Sequence, residues 1–275
     1  MVTNSWIYDA IIYTYALSLL FYFSDVVGVN RKAKRMGAGL LTFVWVLQTI
    51  FLIVRMVRHQ DVPVFSSFEF MFLFSWFLVT VSIVISRFFH IEFIVFFVNL
   101  IGFALLLVNM LNDPTMPASM KEWEMMRNLL SFHISLVAFG FAALTISAVF
   151  AGMYVFLHHK LKAKQWSDAV RRLPSLERIE RFSFLAVVIG IPMILLSLAV
   201  AVGAILLDNR TELLIDFKIW FTLLALLFYG SYIVKRSRND STGFRLSLLN
   251  LGCYAVMMLN FALNSLSTFH RWIGV

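Results

Sequence analysis

Long apolar runs alternate with short polar segments along the whole chain, and the runs number eight. A helix that crosses the hydrocarbon core of a bilayer needs about 20 apolar residues, and most of the runs reach or approach that length. The strands of a membrane β-barrel would alternate apolar and polar residues instead. The pattern predicts an all-α polytopic membrane protein with about eight transmembrane helices in one transmembrane domain, residues 1–275. The predicted spans are Trp6–Val27, Ala38–Val57, Phe65–Ile85, Phe93–Leu111, Leu129–Leu157, Phe182–Leu207, Ile219–Val234 and Leu246–Leu266.

Composition agrees with this interpretation and excludes several classes of protein. Of the 275 residues, 61% are hydrophobic and 14% are charged, whereas soluble domains carry about 45–50% apolar and about 25% charged residues. A soluble enzyme, a disordered chain and a separate soluble domain are therefore excluded. The single cysteine, Cys253, rules out an intrachain disulfide and a C-x-x-C-H site for covalent haem. The first run carries Asp9 in place of a basic leader and is long enough to span, so a cleaved signal peptide is not expected.

The basic residues are distributed unevenly between the two sides of the membrane. Of the 23 lysines and arginines, 16 fall in the polar segments after the first, third, fifth and seventh spans, and 7 fall on the other side. Short cytoplasmic loops are enriched in such residues, so these four segments are predicted to be cytoplasmic and both termini to lie outside. The asymmetry accounts for the net charge of +8, and a nucleic-acid partner is not expected.

The longest polar segment, His158–Arg181, lies on the predicted cytoplasmic side and leaves two interpretations open. It mixes basic and acidic residues at spacings that allow a short amphipathic helix. It is either a solvated loop that fixes the topology or a docking surface for a cytoplasmic partner.

Two of the six histidines are the strongest candidates for chemistry. His133 lies about one turn into the fifth span and His270 a few residues beyond the apolar part of the eighth, so the topology places both at the outer membrane level. Two imidazoles from different helices at one depth can bind the iron of a haem from both faces without a covalent bond to the porphyrin. The alternative is that each histidine hydrogen-bonds water or lipid headgroups. The other four lie near loops or helix ends, where interfacial positions explain them: His59, His90, His158 and His159.

Two further places near the outer surface carry charged residues that are candidates for the same site. Glu69 opens the third span, where a carboxylate needs a partner or a wet cavity. Arg55 and Arg58 can supply that partner, so a structural ion pair and a functional role both remain open. The outer segment Asp208–Lys218, followed by Trp220, is either an interfacial cap with a belt tryptophan or the mouth of a ligand site.

Sequence motifs of ordinary enzymes are missing. There is no nucleotide-binding P-loop, H-E-x-x-H zinc motif, G-x-S-x-G nucleophile motif or dinucleotide fingerprint. An enzyme is therefore not expected. A small-molecule transporter is disfavoured because neither a pair of broken helices nor an inverted repeat is visible.

Four short stretches occur in an order that resembles the membrane family of cytochrome c assembly proteins, which handle haem. Ser66–Trp76 (SSFEFMFLFSW) resembles the family segment Y-E-S-x-x-F-L-S-W, and Phe132–Leu136 (FHISL) resembles the H-V-S start of its helix rich in small residues. Asn264–His270 (NSLSTFH) resembles the closing G-L-H-S region. In that family two outer histidines are haem ligands, and they match His133 and His270.

The fourth stretch departs from the family pattern. Haem delivery proteins of the family carry a tryptophan-rich loop, W-x-W-D-P-K-E-T-W, between the two helices that bear the histidines. At the matching place this chain has Leu214–Trp220 (LIDFKIW), so Asp216, Lys218 and Trp220 persist while the earlier tryptophans and the proline are gone. With its size and eight spans, the chain is most similar over residues 63–270 to the HemX-type branch of the family.

The resemblance implies a multi-pass protein of the bacterial plasma membrane that binds haem b non-covalently. His133 and His270 are then the iron ligands, and Asp216, Trp220 and Glu69 are further cofactor contacts. HemX-type proteins are associated with tetrapyrrole synthesis and lower the level of glutamyl-tRNA reductase. The implied function is therefore that of a negative effector of this reductase, which would be met at the cytoplasmic face.

A second function stays open beside this one. Haem delivery or export in cytochrome c maturation, together with a maturation partner protein, is the alternative that the family implies. A tryptophan-rich outer loop would favour delivery, and its loss favours regulation.

Overall fold

All regular secondary structure in the described part of the chain is helical. The computed structural model describes residues 6–28, 30–59, 67–89, 92–110, 124–165, 167–171, 173–207, 209, 211–238 and 241–262. In these ranges a single 3-10 turn, Thr211–Ile215, accompanies the α-helices. The helices are α1 Trp6–Gly28, α2 Arg31–His59, α3 Ser67–Phe89, α4 Glu92–Asn109, α5 Glu124–Lys162, α6 Asp168–Arg171, α7 Leu176–Leu207, α8 Phe217–Ser237 and α9 Gly243–Ala262.

The predicted fold class, an all-α polytopic membrane protein, is confirmed. Within the described ranges seven helices are long and apolar enough to cross a membrane, namely α1, α2, α3, α5, α7, α8 and α9. The eighth long helix, α4, is apolar from Phe93 to Asn109 and has 18 residues, near the lower end of the range of about 17–25 residues that spans a bilayer. Large apolar side chains such as Tyr13, Phe43 and Leu227 are exposed on the helix surfaces, where lipid can cover them. The side on which the termini lie stays a prediction.

Several helices extend beyond the predicted apolar spans into the basic residues. α2 begins at Arg31 instead of Ala38, and α7 begins at Leu176 instead of Phe182. Hydropathy marks the edge of the hydrocarbon, whereas helical hydrogen bonds continue into the headgroup region because they satisfy the backbone there as well. The longest predicted loop is accordingly shortened at both ends, and its middle contains the four-residue helix α6.

The helices group into two units, and each has the same connectivity. Unit 1 is Met1–Pro114 and unit 2 is Thr115–Val275. In unit 1, α1 to α4 form a ring in chain order, closed by contacts between α1 and α4. In unit 2 the ring consists of α5, α7, α8 and α9, closed by contacts between α5 and α9. Each unit is thus an up-and-down four-helix arrangement, and the single transmembrane domain stays a prediction.

The centre of unit 1 contains one buried polar side chain from each of its helices. The Tyr15 hydroxyl donates to Asn99 Oδ1 at 2.8 Å, and Gln48 Nε2 donates to Ser75 Oγ at 3.3 Å. All four residues are buried. Hydrogen bonding compensates for their removal from water, so the four helices are held by polar contacts as well as by apolar packing.

In unit 2, α5 and α7 pack antiparallel along a seam of small and polar residues spaced seven apart. Its three contacts are His133 with Ser197, Gly140 with Gly190, and Ser147 with Ser183. A step of seven residues along α5 is matched by seven residues backwards along α7, which is the register of an antiparallel coiled coil. At the middle contact the backbones approach closely, because small residues leave no side chain between them. The seam fixes the position of His133 against Ser197.

A third helix is tied to this seam by an asparagine. Asn250 of α9 donates from Nδ2 to Ser147 Oγ at 2.7 Å and to Ser183 Oγ at 2.8 Å. The Ser147 hydroxyl in turn donates to the Ser183 carbonyl oxygen at 2.8 Å. All three side chains are buried, so this hydrogen-bond cluster specifies how α5, α7 and α9 meet.

Alanine at Gly140 is expected to destabilise unit 2 by about 1–3 kcal/mol, as overpacking does. A Cβ there would lie 2.6 Å from Ile194 Cδ1 and 3.2 Å from the Gly190 carbonyl oxygen, so the two helices would have to separate. Thermal unfolding in detergent, followed by scanning fluorimetry, measures the effect.

Gly152→Ala is the matched control in the same helix, because a Cβ at Gly152 has nothing within 4 Å. The control should leave stability unchanged or raise it by up to about 1 kcal/mol, because alanine is the better helix former. Equal melting temperatures for Gly140→Ala and Gly152→Ala would contradict the close approach of α5 and α7.

Candidate functional site

The His133 side chain is held in one orientation by α7. His133 Nδ1 lies 2.9 Å from the Ser197 carbonyl oxygen and 2.8 Å from Ser197 Oγ. The Ser197 hydroxyl donates in return to the His133 carbonyl oxygen at 3.3 Å. A carbonyl oxygen can only accept, so Nδ1 carries the hydrogen. In the neutral ring, the lone pair is therefore on Nε2.

The register between α7 and α8 can be read from contacts near the opposite end of unit 2. Two contacts fix it: Glu180 Oε1 with Arg236 Nε at 2.9 Å, and the Phe184 ring with the Tyr232 ring at 6.4 Å between centroids. The chain runs 13 residues from Phe184 to Ser197 along α7. The same step backwards from Tyr232 along the antiparallel α8 reaches Ile219. Ile219 is therefore level with Ser197.

Lys218, the residue before Ile219, belongs to the same level as His133 and Ser197. Its side chain is half-buried. We call His133, Ser197 and Lys218 the His133 layer. Three helices of unit 2 thus carry an imidazole, a hydroxyl and an ammonium group at one level.

Asp216 and Trp220 lie at the start of α8 but have different surroundings. Asp216 is buried, and its Oδ1 accepts the backbone N–H of Lys218 at 2.8 Å as the N-cap of the helix. Trp220 exposes 62% of its surface, as is typical of interfacial tryptophans. These positions agree with the cap interpretation of the segment, and contact of either residue with a cofactor stays a prediction.

His270 lies outside the described residues, in which α9 ends at Ala262. Two contacts show that α5 and α9 run antiparallel: Thr145 Oγ1 with the Tyr254 hydroxyl at 2.7 Å, and the Phe141 ring with the Phe261 ring at 5.7 Å. In the sequence His133 precedes Phe141 by eight residues, and His270 follows Phe261 by nine. Because α5 and α9 are antiparallel, counting backwards along α5 and forwards along α9 leads toward the same end of unit 2.

Glu69 belongs to unit 1 and forms an ion pair with Arg55. The two side chains are 3% and 14% exposed, respectively, and the Arg55 guanidinium also lies over the Phe68 ring at 4.9 Å. A carboxylate removed from water needs such a partner, so the structural ion pair that the sequence allowed is confirmed. Contact of Glu69 with a cofactor stays a prediction.

His158 and His159 lie at the other end of α5 and pack against α9. The His158 ring centroid is 4.7 Å from that of Phe244, and His159 Nδ1 bonds the Val155 carbonyl oxygen of its own helix at 2.8 Å. The distance of 25 residues between His133 and His158 corresponds to about 37 Å along a helix. The two histidines are therefore remote from the His133 layer.

Ser197 is the residue of this layer that sequence reasoning missed. The sequence does contain a pattern that could have identified Ser197, because small residues recur every seven positions on one face of α7. These positions are Ser183, Gly190, Ser197 and Ala204. A matching series in α5 is His133, Gly140 and Ser147. Two heptad series of this kind predict an antiparallel seam, and pairing them in register places Ser197 on His133.

Comparison with known proteins gives similarity over nearly the whole chain. A family model described as cytochrome C assembly protein matches residues 40–270. Protein HemX of Brevibacillus brevis is 36% identical over 269 residues, which cover 97% of this chain and 98% of that protein. Protein HemX of Bacillus subtilis (strain 168) is 35% identical over 263 residues, which cover 95% of each chain. No solved structure matches the chain.

Proposed function

The chain belongs to the cytochrome c assembly protein family as a multi-pass bacterial membrane protein of the HemX type, and on this premise we propose that it binds haem b and lowers the cellular level of glutamyl-tRNA reductase. The haem site is the His133 layer of unit 2, with His270 as the second axial ligand. The family and the names of the relatives point to an assembly or regulatory protein, and the proposal includes no catalytic step.

The observation that carries the proposal is the contact between His133 and Ser197. Histidines that bind metals almost always donate their other ring N–H to a carbonyl or carboxylate, which fixes the tautomer and orients the ring. His133 Nδ1 has this partner in the Ser197 carbonyl oxygen at 2.9 Å. Nε2 is then the nitrogen with the lone pair, and it is suited to an axial position on haem iron. Bound haem would supply the iron and its spectrum, while the chain supplies the oriented imidazole.

The position of the second ligand is supported by the register of α5 and α9. The contacts of Phe141 with Phe261 and of Thr145 with Tyr254 fix the antiparallel direction. In the sequence His133 precedes Phe141 by eight residues and His270 follows Phe261 by nine, so the proposal assigns His270 to the end of unit 2 that holds His133. Two histidines from different helices can thus serve one iron from opposite faces.

The absorption spectrum of the purified protein tests the haem proposal. The full chain, expressed with haem available and purified in detergent, should show a Soret band and, on reduction, the sharp α band of low-spin haem with two nitrogen ligands. Acid acetone should extract the pigment, because the attachment is non-covalent. A colourless protein that also fails to take up added haem would overturn the proposal.

Ser197→Ala is expected to weaken haem binding by about tenfold, the lower end of the range for residues that orient a metal ligand. The change removes the hydroxyl that contacts Nδ1 and bonds the His133 carbonyl, but the Ser197 carbonyl oxygen remains as acceptor. The low-spin spectrum should therefore persist at saturating haem. Haem titration followed by the Soret band measures the change.

Ser183→Ala is the matched control for this prediction. Ser183 occupies the same seam two heptads away, where it bonds Ser147 and Asn250. Its removal should lower thermal stability and leave haem affinity unchanged. The opposite pattern, with affinity lost in Ser183→Ala and kept in Ser197→Ala, would place the ligand elsewhere.

The regulatory part of the proposal rests on the HemX type and on the charge at the other end of unit 2. Among the described side chains there, exposed cations lie on α5, α6, α7, α8 and α9 or within two residues of a helix end. They are Lys162, Lys164, Arg171, Arg178, Arg181, Lys235, Arg238 and Arg245. The reductase or a protein that controls its level would meet this basic end in the cytoplasm. Delivery of haem for cytochrome c maturation is the second candidate, because the matching family model is described as cytochrome C assembly protein.

Reporter fusions test the topology on which this arrangement depends. A reporter that is active only outside the cytoplasm should work after Val275, and one that is active only inside should work between His158 and Arg181. This expectation rests on the 16 lysines and arginines on the predicted cytoplasmic side, compared with 7 on the outer side. An inactive reporter after Val275, in a protein that inserts normally, would contradict the outer location of the haem site.

A further inference from the structure

We propose that Lys218 binds a carboxylate of the tetrapyrrole, so that the site selects porphyrins with free propionates over their esters. The inference rests on the proposed haem site and adds the residue that recognises the ligand's charge. Lys218 lies in the His133 layer, because it directly precedes Ile219, which the contacts between α7 and α8 place level with Ser197. The two propionates of haem extend from one edge of the ring, so a ligand held at His133 has carboxylates to place nearby.

The position of Lys218 is unusual for a cation in a membrane protein. It is half-buried and stands in the first turn of α8, where the helix dipole is positive and disfavours a cation. The neighbouring carboxylate, Asp216, acts on the charge of Lys218. Asp216 Oδ1 also accepts the Lys218 backbone N–H at 2.8 Å, so one carboxylate faces both the helix end and the ammonium group. The Lys218 ammonium and the Asp216 carboxylate thus share this turn with the positive end of the helix dipole.

The Lys218 ammonium group suits a ligand that carries two carboxylates. A carboxylate that enters a low-dielectric site requires a positive partner. Among the described side chains at the His133 end of unit 2, Lys218 is the only lysine or arginine. A propionate placed there would gain a charge-assisted hydrogen bond. A neutral ester would gain none.

The test compares two porphyrins on the purified full chain in detergent, iron protoporphyrin IX and its dimethyl ester. We expect the wild-type protein to bind the free acid about tenfold more tightly than the ester, as expected for a partly desolvated ion pair. Lys218→Met should remove this preference by weakening the free acid alone. Lys218→Arg should retain most of it, because arginine keeps the charge. Lys235→Met, at the other end of α8, is the control and should behave as wild type.

The outcomes separate this inference from the proposed haem site. Equal binding of acid and ester by the wild-type protein overturns the role of Lys218 without any variant, even if Lys218→Met fails to fold. Equal weakening of both porphyrins in Lys218→Met also overturns it, because it indicates a structural role. Failure of the wild-type protein to bind either porphyrin overturns the haem site itself. If haem binding is lost when His133 is replaced but unchanged in Lys218→Met, the proposed haem site is supported and only the role of Lys218 is overturned.

Discussion

Alanine in place of His133 is expected to abolish the low-spin haem spectrum of the purified protein. The imidazole is the one proposed iron ligand that the described structure orients, through its contacts of 2.9 and 2.8 Å with Ser197. Without it the iron keeps at most one axial histidine. The α band should therefore disappear, and haem affinity should fall at least tenfold, at or beyond the range of about 10–100-fold for mutation of residues around a metal. Spectra of the reduced protein and haem titrations measure both effects.

His158→Ala is the control, because His158 lies on the same helix and packs on Phe244 at the opposite end. Its spectrum should be that of the wild type. His270→Ala should behave like His133→Ala, which extends the test to the ligand outside the described residues. Equal loss of the spectrum in His158→Ala would indicate misfolding or another site. An unchanged spectrum in His133→Ala would remove this residue from the haem site.

The number and type of the helices could be predicted from the sequence, because the length of an apolar run relates directly to bilayer thickness. The helix ends could not. α2 begins seven residues before its predicted span, at Arg31, and α7 begins six before, at Leu176. A window that measures hydrophobicity stops where charge begins, whereas backbone hydrogen bonding continues through the headgroup region. The basic residues before these two predicted spans therefore form the first turns of the helices.

The candidate site was predictable in its chemistry but not in its contacts. His133 was distinctive because a histidine inside an apolar span needs an explanation. Its partner Ser197 and its neighbour Lys218 come from other helices, and only helix register brings them together. That register depends on close packing at Gly140 and Gly190, which the sequence shows as heptad spacing in two separate helices. Glu69 shows the reverse case, since its partner Arg55 could be named from proximity in the chain.

Deletion of the gene is expected to raise glutamyl-tRNA reductase protein several-fold and to leave c-type cytochromes near their normal level. The segment Leu214–Trp220 lacks most of the tryptophans of the delivery loop, and Trp220 points out of unit 2 with 62% of its surface exposed. Presentation of haem to an apocytochrome would therefore lack an aromatic platform. The basic end of unit 2, by contrast, offers exposed cations to a cytoplasmic partner. Immunoblots of the reductase and haem staining of c-type cytochromes measure the two outcomes.

Complementation of the deletion strain distinguishes a response to haem from the mere presence of the protein. The wild-type gene should restore the low reductase level. A His133→Ala gene should fail to restore it if bound haem is the signal, even though the protein inserts in the membrane. Arg171→Gln should restore it only in part if the exposed arginine of α6 contributes to the partner contact, because loss of charge weakens electrostatic complementarity. Near-complete loss of c-type cytochromes with an unchanged reductase level would reverse the order of the two functions and favour haem delivery.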